Sequence, residues 1–157
     1  MSDFVNTVDS VGDEALTNSI IDRSITEIRD NCVTRIGGSA FNSCSALTTA
    51  DFPAATSIGD NAFQSCSALT TADFQTATSI GNYAFQSCSA LTTLILRSGT
   101  MATLGNTRAF FSTPISSGTG YIYVPAALVD SYKAASNWST YANQIRAIED
   151  YPEICGT

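Results

Sequence analysis

The chain has 157 residues, 44% of them apolar and 13% charged, with a net charge of −7 and no histidine. A chain of that length and apolar content can bury a core, which argues against disorder along its whole length. Without histidine there are no His-based triads or His metal sites, and an acidic balance with no cluster of bases argues against nucleic-acid partners and anionic membrane surfaces.

No apolar run approaches the length of a spanning helix, so direct membrane insertion is not expected. The first residues, Met1 to Asn6, lack a basic stretch followed by an apolar one, and no signal peptide is visible. Residues 1–24 are predicted to form a small helical cap. Asp9 or Ser10 would start the helix, Ala15-Leu16 would lie within it, and Ile20-Ile21 would turn onto the first coil of the region that begins at Ile25.

That region is a repeat. Residues 40–61 and 62–83 share 17 identities in 22 positions, both opening on Ala-Phe and running through Ser-Cys-Ser-Ala-Leu-Thr-Thr-Ala-Asp-Phe to Ser-Ile-Gly. A third copy opens at Ala84-Phe85, and the clean copies span 40–96. A decayed copy upstream places Ile25, Ile28 and Ile36 where the next has Leu47, Ala50 and Ile58. A fixed period of this size is the mark of a solenoid.

Within one period Phe41, Cys44 and Leu47 step by three, as in a tight helical or 3-10 turn with one face inward. Ala50 and Phe52 flank Asp51, the alternation of a short strand with one buried face. Ile58 reads as an isolated inward anchor, and Gly59 as relief for the reversal into the next coil. The pattern returns at Phe63, Cys66, Leu69 and Ile80, and again at Phe85, Cys88 and Leu91. One coil cannot bury its own apolar face, so the coils must stack, with parallel strands and with columns of Phe, Cys and Leu in the interior.

After Leu96 the period breaks. Arg97 to Thr100 is a turn, Met101 and Leu104 continue the apolar face, and Phe110 follows Phe85 by 25 residues, which implies an insertion. Thr113 to Gly120 reads as a flexible loop and Tyr121–Val124 as a strand. Pro125 opens a helix through Tyr132, and Trp138, Tyr141, Ala142 and Ile145 give a second, with Ile148 closing its apolar face. The domain reading is therefore 1–24 as N-terminal cap, 25–111 as repeats, and 112–157 as a loop and C-terminal capping segment.

The motif Ala-Phe-x-x-Cys-x-x-Leu-Thr-Thr followed by Ser-Ile-Gly resembles the BspA-like leucine-rich repeat family, also known from treponemal surface proteins. Members more often use a coil one residue longer and place a proline after the strand. Here Pro53 keeps that place, while Gln75 and Arg97 stand in it elsewhere. The segment from Tyr121 to Ser139 resembles the end often attached to such repeats in proteins of gut Firmicutes and their phages or prophages. The resemblance implies a leucine-rich repeat solenoid of short parallel strands and tight helical or 3-10 turns. It would carry a small helical N-terminal cap and a strand-helix-helix C-terminal cap. It also implies an extracellular, cell-surface or virion-associated location and adhesion or partner binding. It carries no catalytic residue onto this chain.

Three groups of residues are candidates for function. Cys44, Cys66 and Cys88 recur inward and read as buried free thiols; they have no His partners for a metal and no base to activate them. Cys32 and Cys155 fall in less regular segments, and a long-range pair between them is open. The second group is the outward strand face: Glu27, Arg29, Thr49, Asp51, Thr71, Asp73, Thr93 and Ile95. Asp51 and Asp73 would lie side by side, too few oxygens for calcium and without the separated environments of an acid–base pair. The threonines suit a wet strand face and also suit docking to protein or glycan, whereas ice would want a longer flat array. The third group is aromatic: Tyr121, Tyr123 and Trp138, as a binding patch or as cover for the last coil, with Trp138 expected to be packed and the two tyrosines exposed. No cofactor, metal or enzymatic reaction is expected. The functional reading is a binding or adhesion module for an unknown protein or glycan, at a bacterial surface or in a virion assembly. The alternative is a structural spacer, cap or oligomerisation component.

Overall fold

The computed structural model describes residues 25–31 and 33–155, without the side chain of Cys155. The helical cap expected at 1–24, Cys32 and any pairing of it with Cys155 lie outside the described residues. The strands in chain order are β1 Glu27–Arg29, β2 Arg35–Ile36, β3 Thr49–Asp51, β4 Ser57–Ile58, β5 Thr71–Phe74, β6 Ser79–Ile80, β7 Thr93–Leu96, β8 Thr103–Leu104, β9 Tyr121–Val124 and β10 Ile145–Ala147. They form two parallel sheets, one ordered β1-β3-β5-β7-β9-β10 and the other β2-β4-β6-β8. Each of the first four coils gives one strand to each sheet and returns through an Ala-Phe turn, with Cys three residues after the Phe in the first three and Thr113 in the fourth, while β9 and β10 extend the larger sheet alone.

The columns expected from the sequence are present. Phe41, Phe63, Phe85 and Phe110 stack nearly flat on one another, with ring centroids 5.0, 5.3 and 5.7 Å apart. Phe52 and Phe74 form a second column and tilt against the first, at 6.3 Å between Phe63 and Phe74. These rings, the three thiols and Leu47, Leu69 and Leu91 are fully buried. Burial of this kind is worth about 1.5–3 kcal/mol per large apolar side chain. The 25-residue step to Phe110 keeps the aromatic column intact, so the insertion bulges elsewhere.

Side chains lace the coils together on the outside. Thr48 and Thr70 donate from their hydroxyls to Thr26 and Thr48 carbonyls at 2.9 and 3.1 Å, and Thr56 and Thr78 do the same at 3.1 Å each. Gln64 Nε2 donates to Gln86 Oε1 at 3.0 Å, an amide ladder on the turn side.

Several local expectations are corrected. Ile58 is not an isolated anchor: with Ser57 it forms a strand of the second sheet, because its backbone groups meet Ile36 on one side and Ile80 on the other. Gly59 and Gly81 do not sit at positive φ. They are glycine because a Cβ there would press on the previous coil's backbone, 2.7 Å from Gly38 N and 2.6 Å from Asp60 N respectively.

The stretch 113–120 is not a loose loop either. Pro114–Ser117 is a short helix, α1, closed by a capping box between Thr113 and Ser116 and ended by Gly118 at φ 97°, with Ile115 buried beneath it. The C-terminal cap runs from β9 through a 3-10 turn into helix α2, Val129–Ala134, and then a 3-10 segment Trp138–Gln144 that breaks at Tyr141. Ile145 does not continue a helix. It begins β10, which pairs Ile145 with Ile122 and Ala147 with Val124. A 3-10 turn Ile148–Asp150 and a last short helix, α3 Pro152–Cys155, complete the segment.

Candidate binding face

The strand alternation of the larger sheet sends one side chain in and the next out, and the parallel register lines the outward ones up in two rows. The first row is Glu27, Thr49, Thr71, Thr93 and Tyr121; the second is Arg29, Asp51, Asp73, Ile95 and Tyr123. All ten positions therefore lie on one side of the sheet: the eight named for the outward strand face in the sequence analysis, together with Tyr121 and Tyr123.

The carboxylates of the second row are already partnered. Asp51 is ion-paired to Arg29. Asp73 receives Arg97 Nε at 3.0 Å on Oδ1 and Arg97 Nη2 at 3.1 Å on Oδ2. The same Nη2 donates to the Ile154 carbonyl at 2.8 Å, which ties the C-terminal segment to the face. Half-burial raises the Asp51 carboxyl above its ordinary range, repulsion from Asp73 adds to this, and Arg29 and Arg97 only partly offset it. Each carboxylate is thus tied to a guanidinium rather than aimed into a cavity. The open depression of about 290 Å³ next to Arg97 is lined by Pro125, Ile148 and Glu149 as well as Arg97, and by neither aspartate.

Ile95 and Tyr123 do not belong to the exposed face. They are 4% and 9% exposed and form a small second core with Ile148, against which Tyr121, Tyr151 and Ile154 pack. The physical reason is the residues after β10, which fold back over the outer side of β7 and β9; Tyr123 and Tyr151 meet edge-on at 5.1 Å. Tyr121 is half-exposed, and the Arg146 guanidinium lies 4.6 Å from its ring centre. The sequence reading missed Arg97, Tyr151 and Ile154. Arg97 could have been found, since it takes the coil position held by Pro53 and Gln75 in the other copies.

Trp138 is buried, as expected of a cap residue, and it works with its neighbours on the open edge of β8. Its Nε1 donates to the Ala102 carbonyl at 2.8 Å, the Tyr132 hydroxyl accepts from Ala102 N at 2.7 Å, and Asn137 Nδ2 donates to the Leu104 carbonyl at 2.7 Å. These side chains replace the strand that a further coil would supply.

The three repeat cysteines are buried and form no disulfide. Cys66 and Cys88 donate to the carbonyls of Phe41 and Phe63 at 3.0 and 2.9 Å. Hydrogen bonding with Cys44 pulls the Cys66 pKa down, but hydrogen bonding with Cys88 and burial outweigh it and push the thiol well above its ordinary value. Such a group is a poor nucleophile.

Stacked parallel coils with a packed Phe/Leu/Cys interior and capped ends define a leucine-rich repeat solenoid, a class built for binding proteins and other ligands rather than for catalysis. The BspA type leucine rich repeat region matches residues 9–124 in six copies, and the chain belongs to that family. The crystal structure of a leucine-rich repeat protein from Bacteroides ovatus ATCC 8483 is similar at 20% identity with a TM-score of 0.44, covering 79% of this chain and 36% of that one. This chain therefore spans little more than a third of that protein's length. No curated protein matches it.

Proposed function

We propose that this chain is a non-enzymatic binding or adhesion module, with a protein or glycan ligand. It would act at a bacterial surface or in a phage or prophage host-recognition assembly. The observation that carries the reading is the outer face of β1, β3 and β5. It presents ordered rows of polar side chains on a rigid support, and it is bounded at β7 and β9 by the folded-back C-terminal segment. The strand ladder fixes the rows in register, and bidentate pairing to Arg97 fixes the Asp73 side chain on that support. The surface or virion location rests on the family resemblance of the repeat and of the segment from Tyr121 to Ser139.

The test is capture of partners from the source culture on immobilised full chain, together with a glycan array. Retention of a defined protein or glycan by wild type, and its loss when Thr49 and Thr71 are replaced by arginine, is the expected result. Monodisperse protein that binds nothing, or that only self-associates in light scattering as concentration rises, would overturn the reading in favour of a structural component.

A further inference from the structure

The hydroxyls of the coil fall into two sets. Those of Thr48, Thr56, Thr70 and Thr78 are consumed, each donating to a carbonyl of the preceding coil at 2.9–3.1 Å. Those of Thr49 and Thr71, one residue further along and on the outer face, have no hydrogen-bond partner among the described residues, and neither has the Tyr121 hydroxyl. Thr93 between them has only a 3.4 Å contact with Thr92. The first row therefore carries three threonine side chains in register at the strand spacing of about 4.8 Å, the hydroxyls of Thr49 and Thr71 unspent, with Tyr121 on the next strand at their end.

The second row, beside it, is electrically closed. Asp51 is held by Arg29 and Asp73 by Arg97. The nearest guanidinium at the aromatic end, Arg146, lies over the Tyr121 ring and donates to the carbonyls of Asn143 and Ile145 at 2.8 and 3.1 Å. Glu27 alone puts a charge without a described ion-pair partner in the first row, at its far end. An anionic ligand seated over Thr49, Thr71 and Thr93 would find no unpaired cation beside it, because Arg29 is paired to Asp51 and Arg97 to Asp73, and a cationic one would find only Glu27, at the far end of the row. A neutral, hydroxyl-rich ligand needs no pair broken. Each threonine hydroxyl can donate and accept at once, as a sugar hydroxyl can, and the spacing of the row is comparable with that of hydroxyls on alternate carbons of a sugar ring. The half-buried Tyr121 closes the row with an aromatic edge and a hydroxyl, the amphipathic surface on which a sugar ring can rest.

We infer that the first row, Thr49, Thr71, Thr93 and Tyr121, is a subsite for an uncharged glycan, bound through hydroxyl–hydroxyl hydrogen bonds. The inference rests on the binding-module reading and narrows it to one ligand class.

The experiment is affinity electrophoresis and calorimetry of the full chain against neutral polysaccharides (a glucan, a mannan and a galactan) and an anionic one, polygalacturonate, at low and high salt. Retardation by at least one neutral polymer, insensitive to salt, is expected. Thr71→Val keeps the β-branched shape and removes one unspent hydroxyl; it should weaken that binding about fivefold, the effect of one net hydrogen bond. Thr70→Val removes a hydroxyl already spent on the Thr48 carbonyl; it should lower stability and leave the affinity unchanged. Neutral-glycan binding that survives Thr71→Val overturns the inference. So does binding confined to the anionic polymer and lost in salt, or capture of a protein partner with no glycan bound. The last two leave the broader binding reading standing; folded protein that retains none of these polymers removes the inference, and only the partner capture and glycan array described above decide the broader reading.

Discussion

Gly81 shows how tightly one residue can be fixed by stacking. A Cβ there would lie 2.6 Å from Asp60 N and 2.7 Å from the Gly59 carbonyl carbon, atoms that are backbone and cannot turn aside. Gly81→Ala should therefore destabilise the protein by about 1–3 kcal/mol, the usual range for overpacking. Gly99→Ala, where a Cβ meets nothing within 4 Å, should be neutral or slightly stabilising. Urea denaturation of the two variants checks the contrast, and equal midpoints would mean the coils are not in such contact. Asp51 allows a second test. Its folded pKa lies above the unfolded value, so between the two the folded protein keeps a proton that the unfolded chain has released. Stability accordingly falls as pH rises through that window, and the penalty persists above it. Asp51→Asn should raise the melting temperature at neutral pH, because the exposed Arg29 partner returns little. The gain should shrink as the pH is lowered through the carboxylate range. A variant that melts lower than wild type at neutral pH would show that the ion pair outweighs burial and the repulsion from Asp73.

At the level of elements, the decisive feature is how the second sheet ends. Among the described residues β8 has no further strand beside it, and side chains from the cap take over the outward backbone groups of Ala102 and Leu104. Tyr132→Phe leaves the buried ring in place and removes the acceptor of Ala102 N–H. An orphaned buried donor costs about 1–3 kcal/mol, and amide exchange at Ala102 should quicken while amides between β3 and β5 hold their protection. Unchanged exchange at Ala102 would mean that the hydroxyl is not its partner. Elements of this molecule were legible where the period acted on them and obscure where it did not. The Phe, Cys and Leu columns were plain because three copies repeat them at one spacing. β4 and β6, two residues each, are too short to show any alternation, so Ile58 and Ile80 looked like single anchors. β10 was hidden because Trp138, Tyr141, Ala142 and Ile145 fit helical spacing as well, and only pairing with Ile122 makes Ile145 a strand residue. The outward rows followed from register alone, but Ile95 and Tyr123 are covered by Ile148, Tyr151 and Ile154, a tertiary contact that no local pattern announces.

Taken whole, the molecule is one-dimensional: each coil touches chiefly the coil before it and the coil after it, so stability is close to a sum of coils and interfaces. The register offset is the same at successive steps, with Thr49 opposite Thr71 and Thr71 opposite Thr93. Excising residues 62–83 removes one complete period and joins Asn61 to Ala84, whose following residues repeat those that normally come after Asn61. Phe41 would then face Phe85 across the same stacking distance that Phe63 now occupies, Ile58 would pair with Leu104, and Asp51 would inherit the place beside Arg97. Every interior column shortens by one member and none shifts. The shortened chain should fold cooperatively, with a lower midpoint because one interface is gone, and with a smaller dependence on denaturant because less surface is buried. Excising 62–72 instead removes half a coil. It would bring Asp73 and Phe74 to the place of the turn that begins Ala62-Phe63, and charge would enter the interior. That chain should not fold. Circular dichroism and urea titration of the two deletions decide the matter. If the full-period deletion is unfolded, or the half-period deletion is folded, the stack is held together by contacts other than those between neighbouring coils.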